Sequence, residues 1–179
     1  MLEGVAWERK VEDCNKAMNL CPCGYLTDPY HPCRCSPVRM AQYIGKISGP
    51  LLDRIDVQIE VPAVSFETLR QLPDGETSAV IKARVGQAQA RQRARLAVEG
   101  LGTNAQMRHR HVQRFCPLSP AASALLKRAM EELRFSARAY DKILKVSRTI
   151  ADLAASETLE PAHLAEAIQY RSLDRQWRG

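Results

Sequence analysis

Four cysteines fall within fifteen residues, first in Cys21-Pro22-Cys23-Gly24 and then in Cys33-Arg34-Cys35. A thiolate is a soft anionic ligand, and two C-x-C pairs flanking a short loop can converge on one tetrahedral cation. Zinc prefers that environment. Cys21, Cys23, Cys33 and Cys35 therefore predict a closed, structural zinc site, with His31 as a substitute ligand and four free thiols as the plain alternative. Cys14 and Cys116 stand apart and read as packing residues or incidental thiols.

The second chemistry is cationic. Net charge is +6, and eight basic residues (Lys82, Arg84, Arg91, Arg93, Arg95, Arg108, Arg110, Arg114) face one acid, Glu99, between Thr77 and Arg114. Concentrated positive charge attracts phosphate backbones. Arg84, Arg91, Arg93, Arg95, Arg108 and Arg110 are candidate nucleic-acid contacts, and a solvated helix face is the plain alternative. His109 and His111 add charge at lower pH.

These residues need elements to place them. Val5, Val11, Cys14 and Met18 form a weak helical stripe. Residues 21–37 hold four prolines and a glycine among the cysteines and read as loop. Ser36-Pro37 opens a short helix to about Ile44, and Ser48-Gly49-Pro50 repeats the signal. Ile55, Val57, Ile59 and Val61 alternate with polar residues, which predicts a half-buried strand ended by Pro62. Residues 63–76 read as a linker turning at Pro73-Asp74-Gly75. A long helix follows from Thr77 to about Glu99, closed by Gly100 and Gly102. Further helices are expected at 105–114, 119–132, 136–155 and 161–171. In the 136–155 helix Tyr140, Ile143, Leu144, Ile150 and Leu153 make an apolar face, and Arg138, Lys142, Lys145 and Arg148 make a separate cationic stripe.

Three ordered segments carry a family resemblance: Ala17-Met18-Asn19-Leu20-Cys21-Pro22-Cys23-Gly24-Tyr25; Ile47-Ser48-Gly49-Pro50-Leu51-Leu52-Asp53-Arg54-Ile55-Asp56; and Ser136-Ala137-Arg138-Ala139-Tyr140, running on to Arg148-Thr149-Ile150-Ala151-Asp152-Leu153. Together they resemble the magnesium-chelatase-like AAA+ ATPases of bacteria, of the YifB/ComM type. The ending Ala162-His163-Leu164-Ala165-Glu166-Ala167-Ile168-Gln169-Tyr170-Arg171 fits the same family. The resemblance implies that Asn19 is the sensor-1 amide at a strand end beside the γ-phosphate, orienting the attacking water. It implies that Arg54 is an arginine finger projecting into a neighbouring subunit's nucleotide site, and that Arg138 is the sensor-2 arginine of a helical lid. It further implies ATP and Mg²⁺ as cofactors of the intact family, which this chain does not bind in full, a hexameric ring built with copies or full-length homologues, and DNA as a candidate partner.

The resemblance also implies a fold: an α/β remnant of an AAA+ core followed by a mainly α-helical C-terminal lid domain, mostly helical overall. Its parts are a divergent segment at 1–16, core with the cysteine loop at 17–62, a linker at 63–76 and a helical C-terminal domain at 77–175. Residues 1–16 do not resemble the strand expected before Asn19, and Leu20 stands where the family usually has proline. No G-x-x-x-x-G-K-[ST] loop occurs, nor an apolar strand ending in Asp-Glu before Asn19. The chain is accordingly expected to be the C-terminal part of a longer ATPase, inactive alone and able to supply Arg54 in trans. Two other readings are a zinc-stabilised nucleic-acid-binding module and a non-functional remnant. The start lacks an apolar signal core and no run approaches membrane-spanning length, so a cytoplasmic protein without membrane contact is expected.

Overall fold

The computed structural model describes residues 18–61, 64–71 and 75–171. The expected helical stripe over Val5, Val11 and Cys14, the segment 1–16 and the turn at Pro73-Asp74 lie outside the described residues. The chain divides into two compact units, Met1–Ile47 and Ser48–Gly179.

The first unit holds the cysteine loop and helix α1, Pro37–Ile44. The Ser36 hydroxyl accepts the Arg39 N–H at 3.3 Å, and Pro37 occupies the first helical position, where no donor is needed.

The second unit begins with α2 (Gly49–Leu52) and α3 (Phe66–Gln71). The latter lies inside the stretch expected to be linker. Helix α4, Ser78–Leu96, is capped by the Thr77 hydroxyl and ends in a 3-10 turn at Ala97–Glu99. Gly100 follows with φ +68°, the left-handed stop that favours glycine. The expected helix at 105–114 is divided into a 3-10 turn at Asn104–Gln106 and helix α5, His109–Phe115. Then come α6 (Pro120–Glu132), α7 (Ala137–Leu153) and α8 (Pro161–Gln169). Ser119 and Ser136 cap α6 and α7 through their hydroxyls.

Helix α7 is the centre of this unit and packs against α4, α5 and α8, while α6 closes on α8. Its Ile143, Leu144 and Ala151 join Leu96, Met107, Val112, Leu126, Leu159 and Leu164 in one buried cluster. Cys116 sits in the same cluster, 4% exposed, as the packing residue it was expected to be. Burial drives its thiol up to about 11. Along α4 only Ala88, Gln92 and Leu96 are buried, one every fourth residue, whereas Val80, Ile81 and Val85 of its first half are exposed.

Among the described residues the fold is helical, and the β pairing is one isolated parallel bridge, Leu118 with Leu159. The strand expected over 55–61 is not formed. Val57, Ile59 and Val61 are exposed, while Gln58 is 9% exposed, the reverse of the predicted register. The physical reason is partnership: no strand lies beside this segment among the described residues, and its polar groups turn to the helices instead. The Gln58 N–H donates to the Tyr170 carbonyl at 2.8 Å.

Candidate functional site

The cysteine loop is shaped by short-range hydrogen bonds. Gly24 has φ +83°, and a Cβ there would come 3.2 Å from the Asn19 amide nitrogen, so glycine serves both the turn and the close approach. Asp28 accepts the N–H groups of Tyr30 and His31 at 2.7 and 3.1 Å, bending the chain back between the two pairs. The Tyr30 N–H, chiefly, holds the Asp28 carboxyl below its ordinary range.

The four sulfurs converge. Cys21 and Cys23 are 3.3 Å apart, Cys23 and Cys33 3.6 Å, and Cys33 and Cys21 3.7 Å. With Cys35 all four lie within 4.8 Å of one another. Zinc–sulfur bonds of about 2.3 Å place tetrahedral sulfurs about 3.8 Å apart. The donor set and its spacing therefore fit a soft tetrahedral cation. Electrostatics agree, since crowded thiols cannot all ionise without a counter-charge. The Tyr25 backbone N–H, above all, draws Cys23 down to about 6. The Cys35 N–H draws Cys33 the same way, but burial and the neighbouring thiols outweigh it and push Cys33 up to about 12. Burial and Cys23 also raise Cys35. His31 is not among these ligands. Its Nδ1 lies 3.3 Å from an Asp28 carboxylate oxygen, and its ring packs 4.9 Å from that of Tyr25.

Asn19 is exposed and lies in irregular chain beside Gly24. The strand expected to carry it falls outside the described residues.

Arg54 and Arg138 belong to the second unit, and both are exposed. Neither side chain has a hydrogen bond or ion pair among the described residues. Their neighbours connect. Ser136, which caps α7 two residues before Arg138, sends its hydroxyl to Asp53 at 3.5 Å. Lys142, one turn along α7, donates to the Arg54 carbonyl at 2.7 Å and also to the Asp56 carboxylate. The two arginines thus stand free on segments tied to each other.

The cationic stripe of α7 is not a continuous solvent face. Arg148 is 2% exposed, and its guanidinium donates to the carbonyls of Glu157 and Ser156 and lies 3.2 Å from Asp152. Burial pulls its pKa down, while Asp152 opposes the shift. Lys145 reaches the Ala105 carbonyl at 3.2 Å. Arg138 alone of the four faces solvent unengaged among the described residues.

The basic stretch divides similarly. Arg95 forms a bidentate pair with Asp152 at 2.7 and 2.6 Å and also bonds the Asn104 side chain. Arg91 donates to the Asp152 carbonyl at 3.0 Å. These two join α4 to α7 and do not stand open to a phosphate backbone. Arg84 is exposed but forms a two-bond pair with Glu76, while Arg93, Arg108 and Arg110 are exposed. Glu99 faces Arg110, His111 and Arg114 together. Asp152, fully buried between two guanidiniums, is the residue that sequence reasoning passed over. Its one signal is the i,i+4 spacing from Arg148.

No helix among the described residues is long and apolar enough to cross a membrane.

Comparison with known proteins places this geometry. The family described as magnesium chelatase, subunit ChlI, matches residues 13–69, and its C-terminal counterpart, magnesium chelatase, subunit ChlI C-terminal, matches residues 75–171. The competence protein ComM of Haemophilus influenzae is 39% identical over 160 residues, which is 89% of this chain and 30% of that protein. The uncharacterized protein YifB of Salmonella typhimurium is 36% identical over the same shares. An uncharacterized protein of Mycobacterium bovis is 32% identical over 155 residues. The chain therefore spans about 30% of the length of the curated relatives it matches.

Proposed function

This chain belongs to the magnesium chelatase ChlI family, and we propose that it forms the arginine-finger and lid portion of an AAA+ ring ATPase related to the competence protein ComM. The observation that carries this reading is the pair Arg54 and Arg138. They are two exposed guanidiniums with no partner among the described residues, on segments joined through Ser136–Asp53 and Lys142–Arg54. Unengaged arginines on segments bonded to each other suit a ligand bearing several phosphoryl oxygens.

In this reading ATP and Mg²⁺ are held by an α/β core upstream of the lid, with Asn19 orienting the attacking water. ATP supplies the phosphoryl group and Mg²⁺ screens its charge. Arg54 enters the site of the neighbouring subunit in a hexameric ring and stabilises charge on the phosphoryl oxygens. Such fingers contribute roughly 10³–10⁵ in rate. Arg138 binds phosphate from the lid and reports nucleotide occupancy to α7. The protein acts in the cytoplasm with DNA as its substrate, contacted through Arg93, Arg108 and Arg110 rather than Arg91 or Arg95. Cys21, Cys23, Cys33 and Cys35 hold a structural zinc that fixes the loop after Asn19.

A zinc-stabilised nucleic-acid-binding module without ATPase function is the second reading, favoured by the converging cysteines. A remnant without a fold does not suit a lid whose buried cluster draws on five helices, α4 to α8. The test mixes the chain with an intact relative whose own finger arginine is replaced by alanine. The chain is expected to raise ATP hydrolysis and its Arg54→Ala variant is not. DNA binding without any effect on hydrolysis would favour the second reading.

A further inference from the structure

The segment after Arg54 must place its backbone polar groups somewhere, because buried amides and carbonyls without partners are costly. Five bonds with the lid serve five of the six residues 53–58. The Ser136 hydroxyl reaches Asp53. The Lys142 ammonium holds the Arg54 carbonyl at 2.7 Å and the Asp56 carboxylate. The Arg171 guanidinium donates to the Ile55 carbonyl at 2.7 Å. The Tyr170 carbonyl accepts the Gln58 N–H at 2.8 Å.

The donors are not casual surface groups. Arg171 is 1% exposed and lies just beyond α8, while the Lys142 side chain is 19% exposed and rises from α7. Bonds from an ionised donor to a carbonyl are stronger than neutral ones, and a buried guanidinium without an acceptor is costly. Lys142 has three donors and spends two on this one segment. Arg138 lies one helical turn before Lys142, so the same helix carries the lid arginine and the anchor of the finger arginine.

We propose that Lys142 and Arg171 are positioning residues that lock the backbone of residues 54–58 to the lid, so that Arg54 and Arg138 move as one body. The inference rests on the reading that Arg54 serves a nucleotide. A lid displaced by phosphate at Arg138 then carries Arg54 with it. Neither residue touches the nucleotide. Their effect is on where Arg54 points.

The test uses the full chain carrying Lys142→Met, Lys142→Arg or Asp56→Ala. Asp56 is exposed, so its variant removes one anchor without opening the lid core. Hydrogen exchange is read at the Gln58 amide, whose N–H the Tyr170 carbonyl holds, and, as a control, at the buried amides of α7. Lys142→Met is expected to speed exchange at Gln58 about tenfold with α7 unchanged, Asp56→Ala to speed it less, and Lys142→Arg to preserve protection. In the mixing assay Lys142→Met lowers the maximal stimulated rate about tenfold, because small misplacements of a catalytic group are costly. The chain concentration giving half the effect stays the same, and Lys142→Arg restores the rate. Unchanged exchange at Gln58 in both weakening variants overturns the proposal, as does full stimulation by Lys142→Met. If the wild-type chain gives no stimulation while the exchange pattern holds, the lock stands and the nucleotide reading falls.

Discussion

Replacing Asp152 with asparagine removes one charge from the interior and strands two others. The carboxylate is 0% exposed and accepts from Arg95 at 2.7 and 2.6 Å and from Asn104 at 2.9 Å, with Arg148 at 3.2 Å. Arg148 is itself 2% exposed and the Arg95 side chain 21%. Asparagine keeps the shape but turns an NH₂ group toward guanidinium donors. Breaking a buried ion pair by removing one partner costs about 3–5 kcal/mol. A domain of about 100 residues loses roughly 4–8 °C per kcal/mol, so the lid's melting midpoint should fall by about 12 °C or more. Thermal unfolding followed by circular dichroism at 222 nm reads it. Adding Arg148→Met to Asp152→Asn removes one of the stranded charges and should recover part of the loss, a coupling that a double-mutant cycle isolates. A midpoint within about 3 °C of wild type would refute the reasoning, since it would mean that water or another acceptor already serves the two guanidiniums.

The other expectations are shorter. Purified reduced chain should carry about one zinc, and Cys33→Ser should bring the content near zero while the lid's melting is unchanged, because the lid has its own buried cluster. Metal content unchanged by Cys33→Ser would remove that cysteine from the site. In metal-free chain Cys23, with its pKa near 6, is thiolate at pH 7, whereas Cys33, near 12, is protonated. Iodoacetamide should therefore label Cys23 first, with a rate that falls as pH drops through about 6. Equal labelling of both cysteines at pH 7 would contradict this. Replacing Arg108 and Arg110 with alanine should weaken and flatten the salt dependence of DNA binding, whereas Arg91→Ala should act on melting instead. The reverse pattern would return Arg91 to the DNA surface.

Much of the helical lid can be read from the chain. Ser119-Pro120, Glu160-Pro161 and the Gly100 stop are local signals, set by capping and left-handed backbone, and the helices begin and end close to them. The cysteine set is legible for a similar reason, since the turns that bring the sulfurs together, at Gly24 and Asp28, are made by residues of the loop itself. Partnership is not local, and there the pattern misleads. The alternation at 55–61 specifies two faces but not what covers them, and the lid turns Gln58 inward instead of the valines. Arg148 and Arg95 share the composition of a solvated basic face, yet Asp152, 57 residues from Arg95, makes them interior groups. Nothing in the sequence ties Lys142 to Arg54 or Arg171 to Ile55, because the carbonyls they hold lie 88 and 116 residues away.

The central claim is that Arg54 completes a nucleotide site in another subunit. Its most direct measurement is the ATP hydrolysis rate of an intact, finger-deficient relative titrated with this chain, with Arg54→Ala and Arg54→Lys versions alongside. The wild-type chain should raise the rate at saturation, Arg54→Ala should lose at least about a hundredfold of that stimulation, and Arg54→Lys should recover little, because a point charge does not replace the planar fork. Equal stimulation by Arg54→Ala and wild type would contradict the account.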